Sequence, residues 1–117
     1  MKKYLFVAFV AVLSVTCFAS YSFGIDMVKK LKKSGVCRGC NLSGINLEKA
    51  YLNEAHLQEA NLKGANLKGA HLKGAHLERA DLTGANISGA NLSGAELDGA
   101  DLREANLQGT SAKSGRG

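Results

Sequence analysis

The chain has 117 residues, 15 of them lysine or arginine and 10 aspartate or glutamate, for a formal net charge of +5. That length allows one structural domain and excludes a second large one. The positive excess lies outside residues 40–109, where six basic residues (Lys49, Lys63, Lys68, Lys73, Arg79, Arg103) face nine acidic ones, a net of −3. No basic face is therefore on offer to nucleic acid.

In chain order, residues 1–22 read as a secretory signal. Lys2 and Lys3 precede an apolar run from Leu5 to Val15, and small residues follow. Cleavage is expected near residues 19–24, after Ala19 or after Gly24. The apolar run is shorter than the ~20 residues a spanning helix needs, so the expectation is a bacterial periplasmic or secreted protein, exported by a Sec-type signal, with no stable membrane insertion after cleavage. Two alternatives stay open: a membrane anchor formed by the uncleaved signal, or lipidation of Cys17. The preceding residues Ser14-Val15-Thr16 depart from the pattern for lipidation, which places leucine three before the cysteine and a small residue just before it.

Residues 23–39 form a connection with a short capping α-helix followed by Cys37-Arg38-Gly39-Cys40. Asp26 is a plausible N-cap, Met27, Val28 and Leu31 share one helical face, and Ser34-Gly35 ends the helix. A helix over the first coil would block pairing at an exposed sheet edge.

From residue 40 to residue 109 an aliphatic residue returns every fifth position: Leu42, Leu47, Leu52, Leu57, Leu62, Leu67, Leu72, Leu77, Leu82, Ile87, Leu92, Leu97, Leu102 and Leu107. Alanine stands two residues before each from Ala50 to Ala105, with Cys40 and Ile45 in that slot at the start. Helical stripes recur at about 3.6 and strand faces at 2. Five residues on a helix advance about 500°, so the leucines would never share a face. The surviving architecture is a solenoid, in which each block buries its leucine only against stacked neighbours. Residues 110–117 are rich in glycine, serine and lysine and read as a disordered tail.

The run Ala60-Asn61-Leu62-Lys63-Gly64-Ala65-Asn66-Leu67-Lys68-Gly69 resembles the pentapeptide-repeat family, whose pattern is A-(D/N)-L-x-x. The resemblance implies an all-β fold: a right-handed, quadrilateral parallel β-helix of about 3.5 coils, with four blocks per coil and the leucines and alanines inside. It says little about function, because one fold hosts many roles. Some members mimic DNA to bind gyrase, which needs an extended, strongly acidic face. The mixed charge of residues 40–109 does not supply one.

Family members often carry a C-x-x-C before the first block, and in an oxidising periplasm Cys37 and Cys40 are candidates for a disulfide stapling the cap to the first coil. Two reduced, packed cysteines are the alternative. Covalent haem would need histidine where Asn41 stands, and tetrahedral zinc would need two further ligands. With a spacing of twenty between stacked positions, His56, His76 and Glu96 form one column, and stacked imidazoles there could share a transition metal. The plainer reading puts histidine in a solvated outward slot, and the expectation is no metal and no cofactor. The columns Asn46, Asn66, Asn86, Asn106 and Asn41, Asn61, Asp81, Asp101 read as amide ladders bonded up the stack.

A core filled by leucine and alanine leaves little room for an enzyme site. The expected function is therefore an exported structural or protein-interaction module with an unidentified protein partner, not an enzyme. An open last coil at Leu102 and Leu107 suggests an end-to-end homodimer. The competing class is a small periplasmic redox or metal-handling protein using the C-x-x-C and the histidines.

Overall fold

The computed structural model describes residues 26–112. The signal, its cleavage point, the Cys17 alternative and the end of the tail lie outside the described residues. Among the described residues no helix is long and apolar enough to cross a membrane.

The first element, α1, spans 26–34. Asp26, the first described residue, already lies within the helix. The helix turns Leu31 inward to 1% exposure, with Met27 and Val28 packed partly against the same core. Lys29, Lys30, Lys32 and Lys33 stay exposed. α1 ends at Gly35, whose φ of 69° lets its N–H reach back to Leu31 O at 2.7 Å.

Beyond Gly35 the chain becomes a stack of coils joined by single-residue parallel bridges, each between residue i and residue i+20, from Val36↔His56 to Asn91↔Ser111. Twenty residues divided into blocks of five give four blocks per coil, so each coil has four sides. Every block uses its five slots alike. The first residue pairs with the coils on either side, the second is the buried aliphatic, the third and fourth turn the corner, and the fifth is the buried alanine. At the block beginning with Asn61, its N–H donates to Cys40 O at 2.9 Å, Leu62 N–H to Asp81 O at 2.7 Å and Gly64 N–H to Thr83 O at 2.9 Å. Ala65 N–H closes the corner on Leu62 O at 3.0 Å. A bond from the fourth turn residue to the first, with positive φ at the third, is the mark of a type II turn.

The aliphatic column is buried from Leu42 through Leu92 and loosens afterwards: Leu97 and Leu102 are half-buried and Leu107 is 40% exposed. From Ala50 to Ala105 alanine fills the slot between them, while Cys40 and the half-buried Ile45 take it in the first blocks.

Two boundaries differ from those read in the sequence. Stacking begins at Val36 and not at residue 40, because Cys37 takes a leucine slot, Gly39 a turn slot and Cys40 an alanine slot. Cys37 N–H donates to His56 O at 2.8 Å and Gly39 N–H to Gln58 O at 2.8 Å. At the other end Thr110 N–H closes its corner on Leu107 O at 3.2 Å, and Ser111 is bridged to Asn91. Backbone pairing needs no leucine, so the coil runs past the last one.

Candidate functional site

The four sides carry different chemistry. One presents the columns Val36–His56–His76–Glu96 and Arg38–Gln58–Glu78–Asp98, set on either side of a buried aliphatic column, and it holds the groups the sequence singles out. The His56 and His76 rings stack at 4.7 Å with 1° between their planes, as the i to i+20 register requires. His56 Nδ1 lies 3.5 Å from Arg38 Nη2.

His76 is placed differently. Its Nδ1 lies 3.5 Å from Glu96 Oε2 on the next rung and 3.7 Å from Glu78 Oε1 on its own. The structure therefore groups His76 and Glu96 with Glu78, and leaves His56 stacked behind with Arg38. Burial pushes the Glu78 carboxyl up. Its own backbone N–H, the Glu96 carboxyl and the His76 imidazole outweigh that and hold it below the ordinary glutamate range. Glu78 Oε2 is nonetheless sealed from solvent with no hydrogen-bond partner, and so is Gln58 Oε1 on the rung before it. Glu78 is missing from the sequence reading because that reading followed columns twenty apart. The slots on either side of a buried leucine both point outward, so a spacing of two across Leu77 would have found it.

Cys37 and Cys40 sit at the helix end of this side with Cα atoms 5.3 Å apart, within the reach of a disulfide. Both are buried. On the adjacent side Tyr51 stacks on His71 at 4.7 Å and 8° between planes, and remains 80% exposed.

A family model described as pentapeptide repeats matches residues 36–69, 60–99 and 80–113, with eight copies. The chain belongs to the pentapeptide-repeat family. Among solved pentapeptide-repeat proteins, HetL, involved in heterocyst differentiation regulation in the cyanobacterium Nostoc sp. strain PCC 7120, is 38% identical with a TM-score of 0.46; the match covers 68% of this chain and 39% of HetL. A thylakoid-lumen pentapeptide repeat protein of Arabidopsis thaliana is also 38% identical, with a TM-score of 0.45, over 62% of this chain and 54% of its own. Rfr23 of the cyanobacterium Cyanothece 51142 is 28% identical with a TM-score of 0.38, over 75% of this chain and 94% of its own. This pentapeptide-repeat chain thus spans about two fifths and one half of the first two. No curated protein matches it.

Proposed function

We propose that this pentapeptide-repeat protein is an exported, non-enzymatic module that docks to another protein through the sides of its coil. One observation carries the reading: Tyr51, 80% exposed, is held by its stack on His71. A large aromatic already fixed in place loses little side-chain entropy on binding, which is why tyrosine is enriched among residues that dominate interfaces. Lys2, Lys3 and the apolar run after them support export to an oxidising compartment. There Cys37 and Cys40 form a staple and not an exchanging redox couple, because both sulfurs belong to buried residues. α1 caps the helix end of the right-handed stack.

Affinity capture from a periplasmic extract, using the chain with both cysteines intact, is expected to retain a defined protein that Tyr51→Ala loses while its melting temperature stays unchanged. Equal capture by Tyr51→Ala removes the Tyr51 side as the docking surface. A thiol count on the exported protein is expected to find no free thiol at Cys37 or Cys40, and titratable thiols there contradict the staple.

The exposure of Leu107 favours a second contact, end to end between two copies. Light scattering at high concentration is expected to show a dimer that Leu107→Asp dissociates. A strict monomer overturns it.

A further inference from the structure

We propose that His76, Glu78 and Glu96 form a binding site for a divalent first-row transition ion of the zinc class. The argument starts from distances. The 3.5 Å and 3.7 Å separations from His76 Nδ1 to the two carboxylates are too long for good hydrogen bonds. They are close to the separation of neighbouring ligands of one ion: with metal–ligand bonds of about 2.0–2.2 Å, two corners of a tetrahedron lie about 3.3–3.6 Å apart. One nitrogen and two carboxylate oxygens lie within 4.8 Å of one another, and a small swing of the exposed Glu96 carboxylate brings all three within reach of one ion.

A second observation is independent of those distances. Glu78 Oε2 is sealed from solvent and accepts no hydrogen bond, although the side chain as a whole is 22% exposed. Glu78 faces His76 through Oε1, and a cation bound to the same carboxylate would offset the charge on the unpartnered Oε2 beside it. The His76 ring lies flat against His56, whose Nδ1 lies 3.5 Å from the Arg38 guanidinium, and His56 is not among the three converging groups. Three protein ligands from two adjacent rungs leave a fourth position for water or a partner's side chain. The donor set of one imidazole and two carboxylates suits zinc, cobalt or manganese better than a soft ion.

The test uses the full chain, purified without a histidine tag, and zinc chloride as the probe in calorimetry at neutral pH. One ion per chain is expected to bind. His76→Asn, Glu78→Gln and Glu96→Gln should each weaken binding at least about tenfold, while His71→Asn, on another side, leaves it unchanged. The three outward substitutions keep the circular dichroism of the coil, so loss of binding is not loss of fold. Zinc should also raise the melting temperature of the parent chain and not of the three variants. No binding by the parent chain overturns the proposal, as does binding that survives the two carboxylate substitutions and depends on the histidines alone.

Discussion

Asn66 donates through Nδ2 to Asn46 Oδ1 at 3.2 Å, one coil away, and is the one amide bonded to another amide up the stack among the described residues. Its own Oδ1 turns instead to the backbone, accepting from Lys68 N–H at 3.1 Å. The same bond to the residue two ahead recurs at Asn41, Asn46, Asn61, Asp81, Asn86, Asn91, Asp101 and Asn106. The columns are thus series of Asx turns and not continuous ladders, which explains why aspartate serves as well as asparagine. Both carry the acceptor, and only asparagine carries a donor to send up the stack.

Asn66→Ala, losing both bonds, is therefore expected to cost about 1–2 kcal/mol. Asn66→Asp keeps the Asx turn but sets a carboxylate against Asn46 Oδ1, and should cost less than alanine but more than Asn86→Asp. At Asn86 the Oδ1 accepts from Ser88 N–H and Oγ, with no amide partner on another coil, so aspartate there is expected to be nearly neutral. Urea midpoints rank the three.

Leu72 and Lys73 are neighbours in sequence with opposite surroundings, one fully buried in the middle of the stack and the other exposed. Leu72→Lys places a charge with no partner among leucines and is expected to abolish folding. Lys73→Glu should change stability by only a few tenths of a kcal/mol. Thermal melts of the two variants check the inward and outward assignment, and equal tolerance contradicts it.

The period of the aliphatic residues made the solenoid legible, because a spacing of five has no other physical use over seventy residues. What it hid follows from the same logic. Cys37 was not read as part of the coil because it is no leucine, yet it is small, apolar and buried, which is all its slot demands. Glu78 was hidden because proximity across one rung depends on both slots beside Leu77 pointing outward, a fact of turn geometry and not of periodicity. The direction of the Asn66 amide was hidden for a related reason: an amide can serve its own turn or the next coil, and residue type does not choose between them.

Asp101 is the most strongly perturbed carboxylate. The Arg103 side chain, helped by the Arg103 backbone N–H, holds its pKa at about 2 against an ordinary 3.8. Because the folded value is the lower one, the ionised form contributes stability that is complete above the ordinary value and is lost as pH falls from 3.8 toward about 2. Asp81 is lowered by Thr83, through its side chain and backbone, with the same sign. Asp101→Asn keeps the turn acceptor and drops the charge. Its urea midpoint should match the parent's less well near neutral pH than near about pH 2, where the parent's carboxylate is itself being protonated. A constant gap between the two across that acid range contradicts the assignment.

Glu54 and Gly74 occupy the same turn slot on successive coils, both with positive φ, 59° and 68°. A side chain in that region costs roughly 1–2 kcal/mol where glycine costs none, offset in part by the freedom glycine gives the unfolded chain. Glu54→Gly is thus expected to stabilise the coil by roughly 0.5–1 kcal/mol. Gly74→Ala should destabilise it on two counts, since the added Cβ also lies 3.3 Å from Glu54 Cγ. The second count vanishes when Glu54 is glycine. The double variant should therefore be more stable than the two single changes add to, by about 0.5 kcal/mol. Simple additivity in denaturant melts would mean that the Glu54 side chain swings clear and that the left-handed backbone accounts for the whole cost.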